Sequence, residues 1–353
     1  MVDSVYIHIP FCKNICKYCD FSKIYYNDEI IFKYLLSLEN EINNNYKNES
    51  LKSLYIGGGT PSSLNKKHLE KLFDILSVFN FNDLYELTFE CNIEDINQEL
   101  LIFLKNNKVN RLSIGVQSFN KKILDILGRN YCNDYFDRIS LCKKYFTNIN
   151  IDLMYGINGQ TIKDLQEDLN KYLELDIPHI SIYSLILEDN TMLKVNNYVE
   201  LDEDKTREMY ELITNTLNNY GYIHYEISNF SKEGYNSIHN LTYWNNNKYY
   251  GFGLGASGYI DNIRYTNTRS INKYLNNDYL YDKELITKEL DMSYFMILGL
   301  RKINGVSNEE FYNRYNANIS DIFNVNNLSY KDGHYYIDED KLFIENSILV
   351  DFV

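Results

Sequence analysis

The sequence predicts an α/β fold in which a partial (β/α)6 barrel of the TIM type is followed by a small, mostly helical C-terminal domain of winged-helix type. Two observations predict this architecture. Short runs rich in Ile, Val, Leu and Tyr alternate with helical segments six times before about residue 200, which is typical of parallel strands with helical crossovers. The chain also has 353 residues, enough for one barrel-sized domain and an appendage.

The predicted strands and helices of the barrel follow one another in strict alternation. The strands are Ser4–Ile9, Ser53–Gly57, Tyr85–Cys91, Arg111–Gln117, Asn148–Tyr155 and His179–Ile186. The helical regions are Asp28–Tyr46, Lys66–Phe79, Asp95–Asn106, Lys121–Leu127 with Asp134–Tyr145, and Ile162–Leu175. In such barrels the functional residues gather at the carboxyl ends of the strands, so we look for a site there.

The pattern changes after about residue 200. We expect a long helix, a strand, a polar stretch and a Gly-rich segment, followed by helices and one hairpin. These elements are Asp204–Tyr220, Tyr222–Ile227, Ser228–Tyr250, and the hairpin Leu328–Tyr330 with Tyr335–Ile337. The predicted domains are therefore a barrel core over 1–200, a barrel-completing segment over 201–283 and a C-terminal domain over 284–353.

The composition excludes several classes of protein. A net charge of −14 at pH 7 and a pI near 5.0 argue against a protein dedicated to nucleic acid or to anionic membranes. No apolar run reaches the length of a transmembrane helix, so we expect no integral membrane segment. The sequence has no charged-then-apolar leader. We therefore expect a cytoplasmic protein whose six cysteines are thiols or metal ligands.

Three of these cysteines lie close together, in the pattern Cys12-x3-Cys16-x2-Cys19 directly after the first strand. The other three are scattered in strand or helix patterns, as buried thiols are. Structural zinc needs four ligands, and His8, on the strand before, could supply the fourth. An iron–sulfur cubane held by only three thiolates leaves one iron open to bind a substrate. We favour the open cluster over zinc.

Two further candidates follow the next strands. Gly57-Gly58-Gly59-Thr60-Pro61 ends the second strand, and glycines there let backbone N–H and C=O groups approach a small ligand. A tight strand-to-helix turn is the alternative. Glu90 ends the third strand, where a carboxylate can bind a ribose diol or an ammonium group; a solvated glutamate is the alternative.

Gln117, Arg129 and Asp152 lie at or near the ends of successive elements, and Arg129 stands out in a chain that is poor in arginine. The segment 253–258 matches the pattern G-x-G-x-x-G. No helix clearly follows it, so we expect a close backbone approach to the barrel mouth and no dinucleotide site.

The motif His239-Asn240-x2-Tyr243-Trp244 contains the only tryptophan of the chain. A histidine can ligate heme iron, and aromatic rings can pack on a porphyrin face. The alternative is a polar loop with one aromatic anchor.

The run from Tyr6 to Phe21, with its three cysteines and Pro10, resembles the cluster loop of radical S-adenosylmethionine (SAM) proteins. More narrowly, the chain resembles the coproporphyrinogen III oxidase-like family, which includes oxygen-independent oxidases and the HemW branch of heme chaperones. The resemblance covers nearly the whole chain. Its other motifs are Gly57–Pro61, Arg111–Phe119, Leu127–Arg129, Asn150–Gly156 and His239–Trp244.

The resemblance implies a [4Fe–4S] cluster, SAM and heme as cofactors. In this family a reduced cluster passes an electron to bound SAM, whose sulfonium bond then breaks. Whether this chain is an active enzyme stays open, and no catalytic residue is assigned. The implied cluster ligands are Cys12, Cys16 and Cys19. The implied SAM contacts are Tyr6, Tyr18, Gly58, Gly59, Thr60, Glu90, Gln117, Arg129 and Asp152. The implied heme contacts are His239, Tyr243 and Trp244.

Two features favour the HemW branch over the oxidases. The oxidases carry a fourth cysteine where this chain has Phe21, and they carry an N-terminal extension where this chain has only Met1–Asp3 before the first strand. The branch implies a chaperone that delivers heme to respiratory-chain or other heme-accepting proteins, and a homodimer is one possible assembly. The alternative function is the oxidative decarboxylation of coproporphyrinogen III to protoporphyrinogen IX with SAM.

Overall fold

The computed structural model of the chain describes residues 2–353. Its strands are β1 Ser4–Ile9, β2 Phe11–Cys12, β3 Ile24–Tyr25, β4 Ser53–Gly58, β5 Glu86–Asn92, β6 Arg111–Gln117, β7 Asn148–Tyr155, β8 His179–Ser184, β9 Ile223–Glu226, β10 Asn229–Ser231, β11 Tyr250–Phe252, β12 Ser257–Ile260, β13 Ile263–Asn267, β14 Leu280–Leu285, β15 Val306–Ser307, β16 Ser329–Lys331 and β17 His334–Tyr336.

Helices connect the parallel strands and build most of the C-terminal region. They are α1 Asp28–Asn45, α2 Lys66–Leu76, α3 Gln98–Asn106, α4 Lys121–Leu127, α5 Tyr135–Lys143, α6 Ile162–Leu175, α7 Met192–Val195, α8 Glu203–Asn219, α9 Ile238–Trp244, α10 Ile271–Leu275, α11 Lys288–Gly299, α12 Asn308–Tyr315, α13 Ile319–Ile322 and α14 Glu345–Leu349. Among residues 2–353, no helix has the length and apolar character needed to cross a membrane.

A nine-stranded sheet forms the barrel, in the order β11-β1-β4-β5-β6-β7-β8-β10-β9. The six strands from β1 to β8 in this order are parallel, and each is linked to the next through one or two helices. This arrangement confirms the predicted (β/α)6 architecture. Strand β11 adds in parallel to β1 at one edge, while β10 and β9 add antiparallel at the other.

The barrel strands alternate between an apolar outer face and a polar inner face. On β1, for example, Val5 and Ile7 are fully buried under the helices, while Tyr6 and His8 occupy the alternate positions. Since successive side chains of a strand point to opposite faces, the inner faces carry the polar set. Its members are Tyr6, His8, Tyr55, Thr88, Glu90, Arg111, Ser113, Asn150, Asp152, His179 and Ser181. The barrel interior is therefore a polar space and not a second hydrophobic core.

The segment predicted as a polar stretch after residue 228 contains regular structure, namely β10, α9 and β11. The strands in it complete the barrel sheet at both edges. The Gly-rich run that follows leads into β12, as part of a three-stranded antiparallel sheet. A Cβ at Gly253 would lie 2.5 Å from the carbonyl oxygen of His8, so the backbone does approach β1 closely there.

The C-terminal region is small and mainly helical, as predicted. Helices α11, α12 and α13 pack beside a small sheet of order β15-β17-β16. The predicted hairpin corresponds to β16 and β17, which pair antiparallel.

This region is docked on the barrel through a buried group of charged side chains. Arg301 Nη1 donates to Glu345 Oε1 at 2.8 Å, and the backbone N–H of Ile227 donates to the carbonyl of Arg301 at 2.9 Å. Burial, with a smaller contribution from the nearby Glu345, raises the pKa of the Glu226 carboxyl to about 8. Burial likewise raises the pKa of Glu345 to about 7. Where the C-terminal region contacts the barrel, the folded protein therefore favours the protonated forms of Glu226 and Glu345.

A pH dependence of stability follows from these two carboxyls. Between about 4.5, the ordinary glutamate value, and about 8, the folded protein binds protons that the unfolded chain has lost, so the free energy of unfolding should fall as pH rises. The amide of Glu226→Gln cannot bind one of these protons. The free energy of unfolding of this variant should therefore rise relative to that of wild type as pH rises through this window. Urea unfolding followed by circular dichroism at about pH 5 and about pH 8 measures the difference. Glu200→Gln, at an exposed position, is the control, and equal pH slopes for Glu226→Gln and wild type would contradict the expectation.

Candidate functional site

The cysteine loop leaves the barrel directly after β1. Strand β2, which carries Cys12, pairs in parallel with β3, and the two strands close the loop between them. The N–H of Ile24 donates to the carbonyl of Pro10 at 2.7 Å, and the N–H of Tyr26 donates to the carbonyl of Cys12 at 2.9 Å. Cys12 is buried, whereas Cys16 and Cys19 are half-buried. The loop thus lies at the carboxyl end of the strands, where the sequence predicts it.

The segment after α4 holds this loop in place. The N–H of Lys17 donates to the carbonyl of Leu127 at 2.9 Å, and Asn14 Nδ2 donates to the carbonyl of Gly128 at 2.8 Å. Gly128 ends α4 in the left-handed conformation, with φ of 71°, and a Cβ there would lie 2.8 Å from the Lys17 side chain. Glycine is therefore the residue that can both adopt the left-handed conformation at the end of α4 and allow Lys17 to approach so closely.

Arg129 connects the loop to the barrel interior. Its Nη1 donates to Tyr18 Oη at 3.2 Å and to Cys16 Sγ at 3.6 Å. Its Nη2 donates to Asn92 Oδ1 at 2.8 Å and to the carbonyl of Gly115 at 3.0 Å. A guanidinium beside a sulfur favours the thiolate form. Arg129 therefore both anchors the loop and supplies positive charge to it.

The three thiols share one loop and do not form a closed metal cage. Burial raises the pKa of Cys12 to about 11, with smaller contributions from Cys19 and Cys16. Thr60 Oγ1 donates to Cys12 Sγ at 3.6 Å and opposes this rise. In residues 2–353 no three His, Cys, Asp or Glu side chains are already arranged around one metal position. The thiols must lose their protons when they bind a metal.

A fourth ligand from His8 does not fit this geometry. Its Nδ1 is bonded to Tyr6 Oη at 3.0 Å and its Nε2 to the carbonyl of Ser22 at 2.7 Å. Burial lowers the pKa of His8 to about 4, so the ring is neutral. The local donor set is three soft sulfurs, which fits an iron–sulfur cluster with one open iron better than structural zinc.

The glycine turn at the end of β4 brings Glu90 and Cys12 against its backbone. A Cβ at Gly57 would lie 2.7 Å from the Glu90 carboxyl, and one at Gly59 would lie 2.9 Å from Cys12 Sγ. Gly58 adopts φ of 116°, and its N–H donates to Glu90 Oε2 at 2.9 Å. The close contacts at Gly57 and Gly59 and the backbone conformation of Gly58 therefore all require glycine. The turn lies between the cysteine loop and the carboxyl of Glu90.

Glu90 lies inside the barrel and does not end its strand, because β5 continues to Asn92. Tyr55 Oη donates to Glu90 Oε1 at 2.7 Å. Burial, with a smaller contribution from Asp152, raises the pKa of Glu90 to about 7. The carboxyl is consequently a group that can be charged or neutral near neutral pH, depending on what lies beside it.

Gln117 and Asp152 face the same interior. Gln117 ends β6 with φ of 68° at a register shift against β7, an uncommon conformation for a residue with a side chain, which marks functional sites. Its Oε1 accepts a bond from Tyr183 Oη at 3.1 Å. Asp152 Oδ1 accepts a bond from Asn150 Nδ2 at 2.6 Å, and burial raises the pKa of Asp152.

Sequence reasoning missed Asn92 as a site residue. Its Oδ1 accepts a bond from Arg129, and its Nδ2 donates to Thr60 Oγ1 at 3.3 Å. It thereby connects the glycine turn to the cysteine loop. The signal was its position two residues after Glu90, which places both on the same face of β5.

The two tyrosines assigned to the SAM site lie in different surroundings. The Tyr6 ring lies 6.0 Å from the Tyr55 ring and 6.5 Å from His239, deep in the barrel. Tyr18 belongs to the cysteine loop and packs against a second apolar cluster that includes Leu127 and Leu193.

The His-Asn-x-x-Tyr-Trp motif lies at the opposite end of the barrel from the cysteines. His239 is buried, and its Nδ1 is bonded to the hydroxyl of Ser53, the first residue of β4, at 2.9 Å. Its Nε2 is bonded to Tyr243 Oη at 2.7 Å. Trp244 is half-buried at the end of α9, with the Arg301 guanidinium 5.9 Å from its ring. The structure thus brings His239 together with Tyr243 and near Tyr6, whose ring is 6.5 Å away, but not with the cysteines, and both of its ring nitrogens are engaged.

The chain is similar in sequence to known proteins. The family model of the radical SAM superfamily matches residues 6–172. Proteins called heme chaperone HemW are similar over most of their length: the one from Lactococcus lactis is 41% identical over 91% of this chain and 87% of its own, and the one from Bacillus subtilis is 40% identical over 91% and 89%. The E. coli protein of that name is 33% identical over 78% of this chain and 76% of its own.

A solved structure shares the fold. The coproporphyrinogen III oxidase HemN of E. coli superposes with a TM-score of 0.87 over 99% of this chain and 90% of its own, at 21% sequence identity. At that identity the likeness concerns the fold. The sequence similarity to the HemW proteins is much higher and spans both chains. The chain therefore belongs to the radical SAM superfamily and, within its coproporphyrinogen III oxidase-like family, to the HemW branch.

Proposed function

We propose that this protein is a heme chaperone that holds a [4Fe–4S] cluster and SAM at the carboxyl end of its barrel, and that it binds heme and delivers it to acceptor proteins. The observation that carries this proposal is the identity of 41% and 40% with proteins called heme chaperone HemW, over about nine tenths of each chain. We propose respiratory-chain or other heme-accepting proteins as the acceptors.

The cysteine loop supports the cluster. Cys12, Cys16 and Cys19 would be the ligands, and they leave one metal position for SAM. In the superfamily such a cluster, once bound and reduced, supplies the electron that cleaves SAM. This chain contributes the positive charge of Arg129, which lies 3.6 Å from Cys16 Sγ, and the hydroxyl of Thr60, which opposes the rise in the pKa of Cys12.

The polar surfaces next to the loop support a SAM site. Gly58, Gly59 and Thr60 offer backbone and hydroxyl groups, and Glu90 offers a carboxylate for an ammonium or a diol. Gln117 and Asp152 face the interior one and two strands beyond Glu90. The remaining candidates are Arg129, Tyr6 and Tyr18.

We propose heme contacts from His239, Tyr243 and Trp244, as the family resemblance implies. Burial, with a smaller contribution from Arg111, lowers the pKa of His239 to about 3. The imidazole is therefore neutral, as an iron ligand must be. In the conformation described, Ser53 and Tyr243 occupy its two nitrogens.

A cytoplasmic location fits the thiol chemistry. All six cysteines are free in the structure, as expected of a protein from a reducing compartment. We therefore propose that the protein is located in the cytoplasm.

The first prediction from this proposed function separates a chaperone from an oxidase. The protein is reconstituted with iron and sulfide without oxygen, and then incubated either with heme or with coproporphyrinogen III plus SAM and a reductant. We expect stable heme binding, seen as a Soret band that survives gel filtration, and no protoporphyrinogen. His239→Ala should weaken heme binding at least tenfold if the imidazole is the ligand, while the iron content stays that of wild type. Formation of protoporphyrinogen would overturn the proposal in favour of the oxidase.

The second prediction concerns the cluster. A Cβ at Gly59 would lie 2.8 Å from the backbone of Pro10 and 2.9 Å from Cys12 Sγ, so Gly59→Ala should displace the cysteine loop. We expect the variant to hold less than about half of the wild-type iron and sulfide after reconstitution, since a misplaced ligand loosens a metal site. Gly333→Ala is the control for backbone strain away from the loop, because Gly333 has φ of 81° in the β16–β17 turn and no atom lies within 4 Å of the new Cβ. A full cluster load in Gly59→Ala would show that the loop does not depend on this contact.

A further inference from the structure

A buried aspartate interrupts the apolar face that helix α6 turns toward the barrel. The buried residues of α6 are Leu165, Asp168, Leu169, Tyr172 and Leu175, and Asp168 is 1% exposed. A carboxylate in such a place is stable only when hydrogen-bond donors face it. Asp168 finds these donors in the loop that connects β6 to α4.

Two consecutive residues of that loop donate to Asp168. The Ser118 hydroxyl donates to Asp168 Oδ2 at 2.5 Å, and the N–H of Phe119 donates to Asp168 Oδ1 at 2.8 Å. Burial raises the pKa of Asp168 to about 6, and these two bonds oppose the rise. Near neutral pH the ionised carboxylate therefore holds both residues through charge-assisted bonds.

The turns of α6 before and after Asp168 bind the same loop. Asn120 Nδ2 donates to Asp164 Oδ1 at 2.8 Å, and Lys171 Nζ donates to the carbonyl of Phe119 at 3.4 Å. Positions separated by three or four residues lie on one face of a helix, so these contacts form a single polar row. Asp168 is the buried member of that row, and its bonds are the ones least weakened by water.

The residue directly before this loop is Gln117, whose backbone is strained. Gln117 has φ of 68° where the register between β6 and β7 shifts, and such a conformation persists only where the surroundings enforce it. Its side chain is buried, with Oε1 accepting a bond from Tyr183 Oη at 3.1 Å. By fixing the next two residues, Asp168 restrains the segment through which the strained backbone could otherwise relax.

The same loop also begins helix α4, which ends beside the cysteine loop. The side chain of Asn120 caps the start of α4. Arg129 follows the end of this helix, and its Nη1 reaches Cys16 Sγ at 3.6 Å. A displacement of the loop would therefore shift α4 and, with it, Arg129. Asp168 is in this way linked both to Gln117 and to Arg129.

We propose that Asp168 is a positioning residue for the SAM site: it holds loop 118–120 so that Gln117 keeps its place in the barrel and α4 presents Arg129 to the cysteine loop. The inference rests on the proposed function, because Gln117 and Arg129 are SAM contacts only in that proposal. Contacts that are held in place before a ligand arrives bind it more tightly than contacts that must be ordered on binding.

Asp168→Ala tests the proposal in protein reconstituted with iron and sulfide without oxygen. We expect the dissociation constant for SAM, measured by isothermal titration calorimetry, to rise at least about tenfold, because the pre-organisation is lost. Asp168→Asn should recover part of the affinity, since its amide can still accept from the N–H of Phe119 and can donate to Ser118 Oγ. Ser118→Ala removes one of the two bonds and should also give an intermediate affinity. These two milder variants keep the test decisive if Asp168→Ala does not fold.

Asp291→Ala is the matched control. Asp291 lies on α11 in the C-terminal region and accepts bonds from Asn246, Tyr259 and Tyr315, each at 2.8 Å. This variant should lower the free energy of unfolding in urea, as Asp168→Ala does, and yet leave the dissociation constant for SAM within about twofold of wild type, because the two positions are independent. Equal losses of SAM affinity in both variants would overturn the positioning role.

Amide hydrogen exchange on protein without cluster or SAM gives a second readout. Peptides that cover residues 117–120 and 127–131 should exchange at least about tenfold faster in Asp168→Ala than in wild type, and at the wild-type rate in Asp291→Ala. If wild type binds no SAM, the proposed SAM site fails, and the exchange still decides whether Asp168 holds the loop. If wild type and Asp168→Ala bind SAM equally well, or if exchange over 117–120 is unchanged, the proposed function stands and the role of Asp168 is overturned.

Discussion

The polar inner face of the barrel is the constraint on which the rest of the structure depends. The apolar side chains of each strand pack against the helices. Each polar side chain on the inner face must therefore be hydrogen-bonded inside the barrel, or the position must be a glycine. At the carboxyl end of the strands, this requirement explains the glycines beside Glu90 and the hydrogen bond from Tyr55 to Glu90. It also explains why Arg129 donates both to the carbonyl of Gly115 and to Cys16 Sγ. At the other end it explains why α9 turns polar groups inward.

The cysteine loop depends on this arrangement through a small number of long-range bonds. Arg129 reaches from the end of α4 to Tyr18, and Asn92 holds both Arg129 and Thr60. A change at any of these positions leaves a polar atom unpaired in a place that water reaches poorly, at a cost of about 1–3 kcal/mol. The three cysteines are therefore only part of what defines the site, since their positions are set by residues on β5, β6 and α4.

Much of the fold could be predicted from the sequence because its signals are local. Each barrel strand was found within a few residues, as β6 and β7 were, since apolar periodicity and turn residues are properties of short segments. The cysteine spacing is also local. Asn92 and the conformation of Gln117 could not be predicted in the same way, because their meaning depends on which strands are neighbours and on the register between them. The sequence also shows the motif around His239, yet only the fold reveals that it lies where β1 and β4 begin, beside Ser4 and Ser53.

The separation of the two ends bears on how the cofactors can cooperate. Strand β1 runs from Ser4, at the end of the barrel near His239, to Ile9, next to the cysteine loop, and its six residues span roughly 17 Å at about 3.3 Å per residue. Two tyrosines connect these ends. The Tyr55 ring lies 5.1 Å from the His239 ring, while its hydroxyl donates to Glu90 Oε1 at 2.7 Å. The Tyr6 ring lies 6.5 Å from the same imidazole, and its hydroxyl is bonded to His8 Nδ1 at 3.0 Å. Under the proposed function, a change beside Glu90 would therefore reach the surroundings of His239 through Tyr55, without contact between the two cofactors.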